Sequence, residues 1–332
     1  MVSNKLAIGS LSLGQHPSHS LDLKISTAAQ YGYEGIEVVF SDLEAYSKSQ
    51  KLTMLDGAER IKEICDQAGI KAISLAAFEN FEGYNSALKE RLQVANQWIE
   101  IARRLQAPYL QVPSQYSKDS TSDQKVIISE LQRLADLASS KQPVVSIAYE
   151  ALSWGVNCST WESSLEVVEA VNRPNFGLCL DTFHVVTKLW ADPFAKSGMY
   201  PNADKDLHDT LEHFVKECPL GRIFYVQLSD GERFDPPFSK SHPWYLEGEA
   251  PQFTWSKYAR PFPYETDLGG YMPVSEIARA WIVEKGFKGW VSLETFDRRM
   301  RDKDFKVETA AKRGLESWRK VKGKICPRES KI

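Results

Sequence analysis

Short apolar, β-branched runs alternate with longer amphipathic stretches along this 332-residue chain, and the alternation occurs eight times. The runs lie at 6–13, 35–40, 72–78, 108–113, 144–150, 176–181, 223–229 and 289–296. Each is bounded by polar or turn-forming residues, the pattern of a strand buried on both faces of a parallel sheet. Between them, apolar positions recur at helical spacing near 20–31, 55–68, 84–105, 120–141, 161–172, 202–218, 273–286 and 305–323. Ser159-Thr160 ahead of Trp161 reads as a helix start, with Glu162 placed for a capping box, and Pro273 suits a first turn. The joints repeat as well. Gly32 and Gly35 flank Tyr33-Glu34 as Gly286 and Gly289 flank Phe287-Lys288, one glycine to end a helix and one to open the next strand.

Eight β/α units without a break in composition predict one α/β domain over 1–332, a single (β/α)8 barrel. A doubly wound open sheet is the alternative, but no Gly-rich phosphate loop follows any strand. One stretch exceeds a minimal barrel: 231–270, between the seventh strand and the seventh helix, is rich in Pro, aromatic and charged residues. A connection of this length is expected to be a lid or a substrate wall. Its aromatics (Phe234, Phe238, Trp244, Tyr245, Phe253, Trp255 and Tyr258) argue against disorder.

Composition removes several function classes. A formal net charge of −3 counts against a nucleic-acid binder. No long apolar run or basic amphipathic stretch suggests a membrane span or surface, and residues 1–13 lack the order of a signal peptide. Cys65, Cys158, Cys179, Cys218 and Cys326 are widely spaced with no CxxC pair, as expected for reduced thiols in an intracellular protein. The cytoplasm is the expected location; Ser330-Lys331-Ile332 differs by one residue from a peroxisomal signal and is read as coincidence. Nothing in the pattern marks a particular oligomeric state.

Barrel chemistry sits at the C-terminal ends of the strands. Strand five ends in Glu150, strand six in Asp181, strand seven carries Gln227 and strand eight Glu294. Residues two apart in a strand share a face. Ser146 and Ala148 share the face of Glu150, Gly177 and Cys179 that of Asp181, Ser229 that of Gln227 and Ser292 that of Glu294. The opposite faces carry Val145, Ile147, Leu178, Leu180, Phe224, Val226, Leu228, Val291 and Leu293, suited to packing against outer helices. The four polar groups therefore belong to the barrel interior. Asp230 has the wrong parity and Glu37 lies early in its strand, so neither joins the set. Three converging carboxylates repel and are costly to desolvate, and one divalent metal ion removes that cost. All-oxygen donors favour Mg²⁺ or Mn²⁺ over Co²⁺ or Zn²⁺. The competing reading is an inert set of salt bridges to buried Lys or Arg, and no cation lies within these four strands.

Tyr149-Glu150-Ala151-Leu152-Ser153-Trp154, Cys179-Leu180-Asp181-Thr182-Phe183, Tyr225-Val226-Gln227 and Trp290-Val291-Ser292-Leu293-Glu294 stand in order, joined by 171–177 and by Phe296-Asp297-Arg298-Arg299-Met300. Together these resemble the fungal 3-dehydroshikimate dehydratases of quinate catabolism, within the xylose-isomerase-like barrel superfamily. The resemblance covers nearly the whole chain and is densest over 144–300. It implies a metal held by Glu150, Asp181, Gln227 and Glu294, and conversion of a polyhydroxy keto acid, 3-dehydroshikimate, to protocatechuate. An ion bridging the ketone and its neighbouring hydroxyl stabilises the enolate when the alpha proton leaves, and the beta hydroxyl then departs. The chain departs from the pattern at Gln15, where those enzymes carry Arg after Ser-Leu-Gly, and at Ala76-Ala77, where they carry Gln-Pro. The first departure removes one partner for a substrate carboxylate. A sugar or keto-polyol isomerase or epimerase of the same superfamily is the rival function.

His184, three residues past Asp181, is the expected proton carrier beside Glu150 and Glu294. Arg298 and Arg299 are the nearest cations for a substrate carboxylate, and His16, Phe78 and Tyr116 are expected at the pocket wall. His19 is a further candidate at the barrel mouth, whereas His208 and His213 read as a solvated helix face.

Overall fold

In the computed structural model, which describes residues 2–326, the chain forms β1 (Leu6–Gly9), β2 (Gly35–Val39), β3 (Lys71–Ala76), β4 (Tyr109–Pro113), β5 (Ser146–Glu150), β6 (Phe176–Asp181), β7 (Ile223–Leu228), β8 (Ala259–Arg260), β9 (Trp290–Leu293) and β10 (Phe296–Asp297). Strands β1–β7 and β9 pair in parallel, each with its successor, and β9 returns to β1 to close the barrel. The terminal Ser330-Lys331-Ile332 lies outside the described residues. Among the described residues, no helix is long and apolar enough to cross a membrane.

The outer helices follow from spacing. In the helix Leu88–Leu105, the buried positions Arg91, Ala95, Ile99, Ala102 and Leu105 recur three or four residues apart and face the sheet. The repeated joints take the expected form: Gly32 and Gly286 adopt φ of +87° and +79°, and Gly35 opens β2. The barrel interior is tight. A Cβ at Gly35 would come within 2.7 Å of Ile73 and 2.9 Å of Trp290.

Several expectations are corrected. The first run stops at Gly9, and Ser10–Leu13 is a 3₁₀ turn. Its serine hydroxyls accept the amides of Val39 (3.1 Å) and Thr295 (2.8 Å), a local alternative to the strand ladder. The capping box at Thr160 closes on Ser163; Glu162 instead accepts from Thr210 at 2.9 Å. The stretch 273–286 forms the helix Val274–Ala278 continued by a π-helical turn, Arg279–Glu284. Two further helices, Phe40–Ser49 and Thr182–Leu189, follow β2 and β6 with no intervening turn residues to announce them. Phe224 packs with the interior cluster and not with the outer helices, because the β6–β7 register shifts between Leu178 and Cys179.

The stretch 231–270 is folded. It carries the helix Pro251–Tyr258 and β8, which pairs antiparallel with β10 through Phe296 and Arg260. Its own Trp255 and Phe262 are fully buried. Asp230 pins both its ends, accepting the amides of Gly231, Tyr271 and Met272 at 2.8, 2.9 and 2.8 Å. That use of its carboxylate agrees with leaving it out of the ring.

Candidate active site

The staggered strands bring Glu150, Asp181, Gln227 and Glu294 to one level of the interior, above a layer containing Ala148, Cys179 and Tyr225. Glu37 joins them, against the sequence reading. Gly9 pairs with Glu37 on one side, and Ile8 pairs with Leu293 on the other, so Glu37 and Glu294 stand level across a residue without a side chain. Position within its own strand hid this, because strand tilt and register set the height of a residue in a barrel. Glu37 accepts from Ser74 at 3.0 Å and from Gln227 Nε2 at 3.1 Å.

Gln227 is turned differently from the expectation. Its Nε2 also donates to Glu294 Oε1 at 3.0 Å, and its Oε1 accepts from the Cys179 thiol at 3.1 Å. Two carboxylates facing one amide draw its N–H groups, so the oxygen assigned to an ion points elsewhere.

The sequence reading missed Arg260. It enters from the 231–270 segment and is 1% exposed. Its Nη2 donates to Asp181 Oδ2 at 2.6 Å and to Glu294 Oε2 at 3.1 Å, and Ser229 Oγ accepts at 2.8 Å. The guanidinium lies 4.4 Å from the Phe183 ring and 5.0 Å from the Phe296 ring, where a planar cation is favoured. Burial disfavours its charge, but Asp181, Glu294 and Glu150 together outweigh that and hold it protonated.

Glu150 is the exception to this pairing. Gln111 donates to its Oε2 at 2.6 Å, while its buried Oε1 accepts no hydrogen bond. That oxygen faces His184 Nε2 at 3.4 Å, and Glu150, Asp181 and His184 each offer a ligand atom within 4.8 Å of the others. Burial, then the neighbouring carboxylates, push the pKa of Glu150 well above its ordinary value; burial does the same to Glu294.

His184 stands in the helix Thr182–Leu189, whose first turn is capped by Asp181 Oδ1 accepting from the Phe183 amide at 2.8 Å. This helix lies outside the helical stretches expected from spacing, which stop at 172 and resume at 202. The Nδ1 of His184 accepts from the Ser153 amide at 3.1 Å, and burial lowers its pKa to about 4. A neutral imidazole accepting through Nδ1 carries its proton on Nε2, so toward the ring His184 is a hydrogen-bond donor.

A cavity of about 300 Å³ opens above the ring, and Glu150, His184, Glu294 and Arg260 form part of its lining. Tyr116 lines it as expected, packed on Phe253, which stacks on Trp154 at 5.1 Å. The other expected wall residues lie elsewhere. Phe78 is core, against Phe81 and Trp98. His16 contacts Ser18 and His19, and His19 Nε2 donates to the Phe305 carbonyl. Arg298 and Arg299 are both engaged by Glu232, at 2.6 and 3.0 Å, and Arg299 also by Asp297. His208 is exposed and pairs with Glu212. Gln15, Lys257 and Arg301 reach the cavity without having been singled out as binding residues.

Comparison with known proteins places this geometry in a family. Residues 25–321 match the family described as xylose isomerase-like TIM barrel. A 3-dehydroshikimate dehydratase of Neurospora crassa is 36% identical over 96% of this chain and 93% of its own length. A 3-dehydroshikimate dehydratase of Pseudomonas aeruginosa is 26% identical over 84% of this chain, which spans 37% of that longer protein. The crystal structure of the IolI protein with a bound zinc atom matches 97% of this chain and 99% of its own, with a TM-score of 0.70 and 21% identity. The chain belongs to the xylose isomerase-like TIM barrel family and, within it, to the group of the fungal 3-dehydroshikimate dehydratases.

Proposed function

We propose that this chain is a divalent-metal-dependent hydro-lyase that converts 3-dehydroshikimate to protocatechuate and water. The observation that carries the metal reading is the buried Glu150 Oε1 without a donor, beside Asp181 and Glu294. Charge supports it: Glu37, Glu150, Asp181 and Glu294 are four carboxyls of the barrel interior with Arg260 as their one ion-paired cation among the described residues, so ionising them leaves an excess of negative charge that a divalent cation offsets. Glu150, Asp181 and Glu294 would hold the ion, with Gln227 joining by exchanging its amide nitrogen for its oxygen. When bound, the ion supplies Lewis acidity toward a ketone and its neighbouring hydroxyl. Oxygen donors favour Mg²⁺ or Mn²⁺. The substrate rests on the likeness to the Neurospora enzyme.

The residues of the chain then divide the work. Glu150 and Glu294 line the cavity, where one of them is placed to take the proton alpha to the ketone. That proton leaves with the beta hydroxyl as water, regenerating the carboxylate. His184 donates its Nε2–H to substrate oxygen and stays neutral throughout. The 231–270 segment contributes Arg260 and Phe253 to the cavity and serves as its wall.

The test is to follow the ultraviolet absorbance of the aromatic product on adding 3-dehydroshikimate to purified, metal-loaded protein. Sustained product formation is expected. A protein that forms none, yet interconverts keto-polyols, is an isomerase or epimerase.

A further inference from the structure

Two guanidiniums line the cavity, and they differ in one respect. Arg260 is neutralised by Asp181 and Glu294. Arg301 has no carboxylate partner among the described residues, although it is held from three sides. Its Nε donates to Gln15 Oε1 at 3.0 Å, its Nη2 donates to the Lys257 carbonyl at 2.6 Å, and its guanidinium sits 4.7 Å from the centre of the Tyr258 ring. The other cation of the rim, Lys257, is paired with Glu249 at 2.7 Å. Arg301 therefore brings to the rim a fixed positive charge with no anion of the chain assigned to it.

Gln15 adds an independent observation. Arg301 claims its oxygen, which fixes the orientation of the amide, and its shielded Nε2 is left with no hydrogen-bond partner. Trp154 Nε1, in the same cavity wall, is likewise a buried donor without an acceptor. The open acceptors of the cavity, Glu150 Oε1 and Gln111 Oε1, belong to the carboxylate ring, whereas the open groups beside Arg301 are donors and call for acceptor oxygens on the part of the ligand that lies there. A fork of guanidinium and amide N–H groups suits the two oxygens of a planar carboxylate.

We infer that Arg301, with Gln15, binds the carboxylate of the substrate at the cavity rim, orienting the ring so that its ketone and hydroxyls face Glu150 and Glu294. This deepens the dehydratase reading and rests on it for the identity of the substrate. Arg298 and Arg299, engaged by Glu232, are not needed for it.

The experiment compares the wild type with Arg301→Ala and Arg301→Lys in two assays. Calorimetry measures binding of shikimate, an unreactive hydroxy analogue, and of its methyl ester. Steady-state kinetics measure kcat and KM for 3-dehydroshikimate. The wild type should prefer shikimate to the ester. Arg301→Ala should lose about 10- to 100-fold in shikimate affinity with little change for the ester, as expected for a charge-assisted pair. KM should rise by a similar factor with kcat within a few-fold, and Arg301→Lys should recover part of both. Arg301→Ala binding shikimate as tightly as the wild type overturns the inference, including the case where only its melting temperature falls. If the wild type binds shikimate through Arg301 but forms no product, the dehydratase reading falls and the carboxylate site stands.

Discussion

Arg260 offers the sharpest test of how the carboxylate ring is held together. Arg260→Met keeps an apolar stem of similar length between Phe183 and Phe296, and removes the charge and every donor. The donors lost contact Ser229, Ser256, Asp181 and Glu294. Breaking a buried ion pair from one side costs about 3–5 kcal/mol, because the carboxylates left behind are buried and uncompensated. Part of that cost should depend on pH. Arg260 pulls the pKa of Glu150 and Glu294 down against the larger upward push of burial. Without it, both carboxyls hold protons in the folded state over a wider range than in the unfolded chain. Stability then falls as pH rises, so the deficit should be larger near about pH 8 than near about pH 5. Urea denaturation of wild type, Arg260→Met and Arg260→Lys at both pH values, in EDTA, reads the effect directly. Saturating Mg²⁺ or Mn²⁺ should return about 2.7 kcal/mol at a hundredfold excess over its dissociation constant, since the ion supplies the missing charge. A deficit below about 1 kcal/mol near pH 8, insensitive to the ion, would refute the view that Arg260 neutralises the ring.

Glu150→Gln and Glu294→Gln should each nearly abolish product formation and lower bound metal by elemental analysis, with the fold intact by circular dichroism; full occupancy and rate in both would remove them from the site. Exhaustive chelation should inactivate the protein and Mg²⁺ or Mn²⁺ restore it, so activity in a preparation free of metal would count against an ion-dependent lyase. His184→Ala should lower kcat by about 10²–10³-fold with metal retained, the range for removing one positioned donor. Because burial lowers the His184 pKa to about 4, the imidazole is neutral throughout the usual assay range. The wild-type kcat should therefore show no inflection near the ordinary histidine value of about 6.5, and one that vanishes in His184→Ala would contradict the donor role.

The architecture was legible because each β/α unit writes two periodicities, and the eighth strand could pair only by returning to the first. Strand-end position and parity brought Glu150, Asp181, Gln227 and Glu294 together, since a side-chain period of two fixes which residues face inward. What parity does not encode is height. Glu37 entered the ring through its pairing with Gly9, a relation between strands that no single strand displays. The atom a side chain presents is equally hidden, as Gln227 shows by offering nitrogen where oxygen was expected. The helix that carries His184 went unmarked because Asp181 both ends β6 and caps the helix that follows, leaving no turn residue at the boundary.

The choice between a metal ring and inert salt bridges also turned on a residue outside the strands. Looking for cations in the four strands found none, yet Arg260 lies 31 positions beyond Ser229 and fills part of that role. A signal for it was present: Ala259-Arg260-Pro261-Phe262 is a short, largely apolar run inside a segment already expected to wall the site, and an arginine there has few places to go but inward. Arg260 does not, however, replace an ion. It pairs with Asp181 and Glu294 and leaves Glu150 Oε1 without a partner, so the same buried cation that satisfies two carboxylates isolates the third. An inert structure would have little reason to keep a buried oxygen acceptor beside a donor histidine and open to a cavity, because leaving such a group unpaired costs about 1–3 kcal/mol or more. The two readings of the sequence are thus not exclusive. One arginine organises the ring, and the charge it leaves unbalanced is what an ion would take up.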